Sequence, residues 1–250
     1  MYSPEDKFYT AVAVTAVVLG LIIAYFIITM IKHHKRNVAL YKARIKAEID
    51  TQEKERKRIA SDMHDELGPV ISSIKLHINH LECKSDEDKE LMEISNRHID
   101  NMVNKLREIS YNLLPAILVR HGLVKAVEEY IDKLGETNGL KINFDNSIGD
   151  TILTKEEEIN LYRILQEIIH NTIKHSKATF LSIQFRRHQS TLYLVTADNG
   201  IGFDFNENST KNSGLGLYNL QSRAEVLNAK FSLNAENGKG TKFVFEIPVK

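Results

Sequence analysis

Arg58 to Pro69 reads R-I-A-S-D-M-H-D-E-L-G-P, and the position of its histidine decides how the rest of the chain is read. Ile59, Met63, Leu67 and Val70 recur at three- and four-residue steps, so the stretch is one apolar stripe of a helix, with His64 beside the stripe and facing solvent. Asp65 can accept a hydrogen bond from one ring nitrogen, which sets the tautomer and leaves the other nitrogen's lone pair free to attack an electrophile. Taken alone, the tripeptide is an ordinary surface histidine with an acidic neighbour. Downstream glycine boxes give it a task.

Working outward, residues 58–115 form a helical hairpin. The stripe continues through Ile71, Ile74, Ile78 and Leu81, breaks from Cys83 to Asp88, and resumes at Leu91, Ile94, His98, Met102, Leu106, Ile109 and Leu113. One hairpin cannot bury both stripes, so a homodimeric four-helix bundle completes it, and the hairpin is a dimerisation domain. Upstream, residues 32–57 are rich in Lys, Arg and Glu and keep a near-heptad rhythm, which predicts a helical stalk. Further upstream, Phe8 to Ile31 carries no charge and as a helix spans about 35 Å, enough to cross a bilayer. A cleaved signal peptide fits less well, because the basic n-region is missing, the apolar run is too long and no small-residue cleavage site follows. Lys32-His33-His34-Lys35-Arg36 outweighs the flank before the span, so a single pass with the bulk of the chain in the cytoplasm is expected. Residues 1–7 then form a short extracytoplasmic tail, too small for a sensor domain.

The global composition excludes other classes. Lys plus Arg and Asp plus Glu each number 33 in 250 residues, so no basic field argues for direct nucleic-acid binding. The single cysteine, Cys83, rules out an intrachain disulfide and a cysteine-rich metal site.

A catalytic domain is expected over 116–250. Residues 118–134 keep helical spacing, as do 155–173 and 217–227, whereas 141–144, 180–186, 191–197, 230–233 and 241–249 alternate as half-buried strands. This order predicts an α+β sandwich, a sheet with helices on one face. In the helix 155–173, Glu167 and Asn171 are one turn apart; the Asn171 carbonyl suits a magnesium ion held by phosphates, and Glu167 can orient a metal-bound water. Lys174 and His175 follow at the helix end, where a cation either reaches phosphate or complements the helix dipole. T-A-D-N-G-I-G-F (196–203) offers Asp198 to an adenine amino group, with Gly200 and Gly202 permitting close backbone approach. S-G-L-G-L-Y (213–218) places Gly214, Gly216 and Leu217 at a helix mouth, a ready anion site. Asn237 to Thr241 turns into the last strand, either as a plain hairpin or as a wall of the base pocket carrying the Thr241 hydroxyl.

In this order and spacing, the four boxes resemble the Bergerat-type (GHKL) ATP-binding domain of histidine kinases, gyrases, mismatch-repair ATPases and heat-shock chaperones. With M-H-D-E-L-G-P upstream and Leu-Leu-Pro-x5-His-Gly-Leu at the junction, the chain resembles membrane-anchored sensor histidine kinases that pair with NarL/LuxR-type response regulators. The resemblance implies a bacterial inner (plasma) membrane location, ATP and Mg2+ as cofactors, autophosphorylation on His64 with Asp65 as its partner, and transfer to a regulator aspartate. It assigns Asn171 to magnesium and Glu167, Lys174, His175, Asp198, Gly200, Gly202, Gly214, Gly216, Leu217 and Thr241 to the nucleotide site.

The sequence departs from that pattern at Pro69. Where relatives that dephosphorylate their regulator carry a glutamine, proline has no side-chain donor or acceptor, which predicts a kinase-biased enzyme. Pro69 also withholds the N–H that the Asp65 carbonyl needs, so the helix should bend beside His64. With no sensor domain outside, the signal arrives through the membrane helix, a partner membrane protein or the stalk. Two other readings remain open: a dimeric scaffold that binds ATP without transfer, and an ATPase or protein kinase in which His64 is incidental.

Overall fold

The computed structural model describes residues 4–82, 85–113, 116–134, 139–149, 151–203 and 214–249. The chain divides into two compact units, Met1–Glu48 and Ile49–Lys250. The first holds most of the long helix α1 (Pro4–Asp62). Among the described residues this is one helix long and apolar enough to cross a membrane, with exposed Leu21, Ile22, Phe26 and Ile28 along the run.

In the second unit α1 ends at Asp62 and passes through a π-helical turn, Met63–Leu67, into α2 (Gly68–Asn79); α3 (Asp86–Leu113) completes the hairpin. The wide turn agrees with the chemistry of Pro69, whose nitrogen can give a hydrogen bond neither to Asp65 in α spacing nor to His64 in π spacing. Lys75 pairs with Asp100 at 2.5 Å and Asn96 Nδ2 donates to Asn79 Oδ1 at 2.8 Å across the hairpin.

Within one chain the hairpin covers only part of the apolar stripes read from the sequence. The face turned toward the hairpin partner carries Ile71, Ile78, Met92, Val103 and Leu106 with the buried Ile99, whereas Leu67, Val70, Ile74, Leu91, Ile94, Met102 and Ile109 are exposed. The extra residue of the π-turn shifts the helical phase, so half-buried positions step from Met63 to Gly68 and not to Leu67. Each helix therefore has a half-buried apolar row and, beside it, an exposed one.

The helix α4 (Ala116–Leu134) breaks at Gly122, where φ is 79°, and the Leu123 N–H beyond the break donates to Glu158 Oε1 at 3.3 Å. After it come β1 (Lys141–Ser147), α5 (Lys155–Asn171), β2 (Phe180–His188), β3 (Thr191–Asp198), α6 (Leu215–Val226), β4 (Lys230–Ala235) and β5 (Thr241–Pro248). The sheet order is β1-β2-β3-β5-β4, with β1 and β2 parallel and the other pairs antiparallel. Alternation puts Leu181, Ile183, Phe185, Leu192, Leu194, Phe243, Phe245 and Ile247 on one face, packed with Leu161, Ile164, Leu165, Ile168, Leu220 and Ala224 of the helices. That single core fixes the ends of α5, β3 and β5 relative to one another. Cys83, Leu114 and Pro115 at the junction, and residues 204–213 lie outside the described residues.

Candidate functional site

The site starts from α5. Thr154 caps it reciprocally with Glu157, the Thr154 Oγ1 accepting the Glu157 N–H at 3.2 Å and the Glu157 Oε2 accepting the Thr154 N–H at 2.7 Å. With its start fixed and its apolar face buried, the helix delivers Glu167 and Asn171 one turn apart. Asn171 Nδ2 donates to Glu167 Oε1 at 3.1 Å, which leaves the Asn171 carbonyl oxygen available as an acceptor. Gly216, in the first turn of α6, backs onto this pair so closely that a Cβ would collide with the Glu167 carboxylate.

Beyond Asn171 the chain widens into a second π-helical turn, Thr172–Ser176, which ends at Lys177 with φ 53°. This turn ties α5 to the loop after β3: Ser176 Oγ donates to the Thr172 carbonyl at 2.7 Å, and the Ser176 carbonyl accepts the Ile201 N–H at 2.8 Å. Within that loop Asp198 Oδ1 accepts the Gly200 N–H at 2.8 Å, and Thr241 adds bonds from its N–H and hydroxyl. Burial pushes the Asp198 carboxyl pKa up, and these three hydrogen bonds offset only part of that effect. Asn199 points the other way, its Oδ1 accepting the N–H groups of Thr179 and Phe180 at 2.9 Å each, and so pins the turn to the start of β2. Gly202 has φ +60° and lies against the Glu236 and Gly240 carbonyls, a place no side chain can occupy.

These elements enclose a cavity of about 500 Å³. Of the residues expected at a nucleotide site, Asn171, His175, Asp198, Gly202, Gly214, Gly216, Leu217 and Thr241 line it. Glu167 borders it through Asn171 and Gly216, and Gly200 lies under it against Ser176 and Asp198. Lys174 does not line it. Thr172, Ser176, Ile201, Leu215 and Phe243 line the cavity as well, and sequence reading had not singled them out. The first two belong to the π-helical turn after Asn171, a widening that no residue pattern in Thr172–Ser176 announces.

The cavity suits ATP in size and chemistry. A desolvated carboxylate at Asp198 is an acceptor for an amino group. Gly214 caps α6 without a side-chain hydrogen bond, so N–H groups at that helix start remain for phosphate. Among the described residues no group of three or more His, Cys, Asp or Glu side chains is arranged to hold a metal, and the Asn171 carbonyl is a hard oxygen of the kind that suits a phosphate-bound magnesium ion.

His64 lies in the first π-turn, exposed and without a hydrogen-bond partner among the described residues. Asp65 Oδ2 accepts from Ser61 Oγ at 3.1 Å, and not from His64. Among the described residues, none of the hairpin lines the cavity.

Residues 55–118 match the family described as "Histidine kinase", and residues 156–250 match "Histidine kinase-, DNA gyrase B-, and HSP90-like ATPase". The chain has a histidine-kinase fold. It carries the phosphotransfer and ATPase domains of such an enzyme, with the exposed His64 in one and the cavity in the other. A similar curated protein is the oxygen sensor histidine kinase NreB of Staphylococcus carnosus, 26% identical over 204 residues; the match covers 80% of this chain and 58% of that protein. Among solved structures, the kinase domain of a blue-light activated histidine kinase of Erythrobacter litoralis aligns with TM-score 0.46 and 14% identity, covering 80% of this chain and 94% of the other. The histidine kinase AdeS of Acinetobacter baumannii aligns with TM-score 0.41 and 18% identity, covering 75% and 98%.

Proposed function

We propose that the protein is a membrane-anchored sensor histidine kinase. It phosphorylates itself on His64 at the expense of ATP and passes the phosphoryl group to an aspartate of a NarL/LuxR-type response regulator. The observation that carries this reading is the pairing of an exposed, unpartnered imidazole on a helical hairpin with a cavity walled by Asp198, Thr241, Asn171 and the Gly214–Gly216 loop.

Phosphoryl transfer asks mainly for positioning and charge neutralisation. Asp198 and Thr241 hold the base, Asn171 and Glu167 organise the phosphate end, and the α6 N-terminus accepts phosphate charge. Magnesium supplies further neutralisation when bound. His64 contributes the nucleophilic ring nitrogen; a rotation of Asp65 away from Ser61 would orient the imidazole and stabilise its charge. The exposed rows on α2 and α3 provide the surface of a homodimer, and the apolar run of α1 supports single-pass anchoring with the catalytic part in the cytoplasm. Pro69 in place of a polar side chain biases the enzyme toward kinase over phosphatase activity.

The test uses the full chain in lipid nanodiscs, with magnesium and γ-labelled ATP, beside His64→Gln. Acid-labile, base-stable label in the parent alone supports the reading. ATP binding without label in either protein points to a scaffold, and label that survives in His64→Gln overturns the acceptor assignment.

A further inference from the structure

Glu53 was part of no motif, yet its side chain is bonded to two arginines far along the chain. Its carboxylate accepts from Arg163 Nε at 3.1 and 3.2 Å, from Arg163 Nη2 at 2.9 Å and from Arg223 Nη2 at 2.8 Å. These partners are 110 and 170 residues away, on α5 and α6, and their side chains are only 5% and 8% exposed. Arg163 also donates to the carbonyls of Asn112 and Leu113 at the end of α3, at 2.9 and 2.6 Å. Two buried guanidinium groups of the ATPase domain thus clasp one carboxylate of α1 and close on the last turn of the hairpin.

The seam around this clasp combines apolar and polar surface, with Ile49 buried one turn before Glu53. A cavity of about 350 Å³ beside it is lined by Gln52 and Arg56 of α1 and by Gln166, Glu167 and His170 of α5. Parting the two sides returns the arginines to water, which offsets part of the lost ion pairing. In the clasped arrangement His64, eleven residues beyond Glu53, is absent from the wall of the nucleotide cavity.

We propose that Glu53 with Arg163 and Arg223 is a latch that holds the ATPase domain in a resting posture, and that phosphorylation of His64 requires its release. The latch rests on the kinase reading above. Loss of the Glu53 charge penalises only the latched state, because in the released state both arginines face water.

The experiment compares initial rates of His64 labelling for the full chain in nanodiscs with those of Glu53→Gln and Glu53→Asp, each over a range of ATP concentrations. Glu53→Gln is expected to label about five-fold faster or more with an unchanged KM for ATP, and Glu53→Asp, which keeps the charge but shortens the reach, to fall between. An unchanged or lower rate in Glu53→Gln with normal KM overturns the latch. Should Glu53→Gln fail to bind ATP, Glu53→Asp decides: a rate above the parent supports the latch, and one at or below it overturns the latch. A parent that takes no label on His64 sinks the kinase reading itself, which separates the two failures.

Discussion

Asn171 Nδ2 donates to Glu167 Oε1 at 3.1 Å, and this bond fixes which end of the Asn171 amide is left for a ligand. The carbonyl oxygen remains, as a hard cation requires. Asn171→Ala should raise the magnesium concentration needed for half-maximal autophosphorylation by about tenfold or more. Asn171→Asp, which keeps an oxygen but sets two carboxylates together, should be intermediate. A magnesium titration of labelling rate checks both.

Gly216→Ala drives a methyl group into the Glu167 carboxylate and the neighbouring Asn171 amide. Nucleotide affinity is expected to fall by about tenfold or more, because the pair must move off its hydrogen bond to make room. Titration with a fluorescent ATP analogue measures this. Gly214→Ala meets no atom within 4 Å and should bind nearly as the parent does.

Asp198→Asn separates binding from stability. Burial holds the Asp198 pKa above its ordinary value, so the ionised carboxylate costs folding free energy at neutral pH. The asparagine carbonyl can still accept from Gly200 and Thr241, so the thermal midpoint without nucleotide should stay level or rise while ATP affinity drops by about 100-fold. In the parent, acidification through the raised pKa protonates the acceptor of the adenine amino group. ATP affinity should therefore weaken at a higher pH than an ordinary aspartate would dictate, and calorimetric titration across mildly acidic pH tests the sign.

Glu53 titrates in the opposite direction. Burial alone would raise its pKa, but the charges and hydrogen bonds of Arg163 and Arg223 outweigh burial and hold it below the ordinary 4.5. A carboxyl lowered in the folded state contributes stability above its unfolded pKa and loses it as pH falls through the lowered value. The difference in thermal midpoint between parent and Glu53→Gln should persist at neutral and mildly acidic pH and close only below about 4.5.

Pro69→Gln tests two consequences of one residue. It restores an N–H to the helix beside His64 and supplies a polar side chain. Regulator dephosphorylation that depends on the kinase and not on ADP should appear, whereas Pro69→Ala should change the autokinase rate without it.

Periodicity made the helices and strands legible because both are local, and the glycine boxes were legible because close backbone approach admits only glycine. Gly216 against Glu167 and Gly202 against the Glu236 carbonyl show that constraint directly. Glu53 was not legible. Its meaning lies in Arg163 and Arg223, which no spacing rule links to it, and in isolation it reads as one more charge of a solvated stalk. The π-turn at Met63–Leu67 was not legible either, because no residue pattern marks the extra residue that moves the half-buried row from Leu67 to Gly68.

The two π-helical turns, Met63–Leu67 and Thr172–Ser176, flank the two ends of the proposed chemistry. Such a turn is a helix that has absorbed one surplus residue while its flanks keep their facing. Shortening either segment by one residue would remove the wide turn and leave the packed faces before and after it where they are, although at Met63–Leu67 Pro69 still leaves one backbone carbonyl without its donor. His64 or the Ser176 carbonyl would then be re-aimed by itself. In both places the fold keeps reactive geometry adjustable by length, independently of the core that holds it.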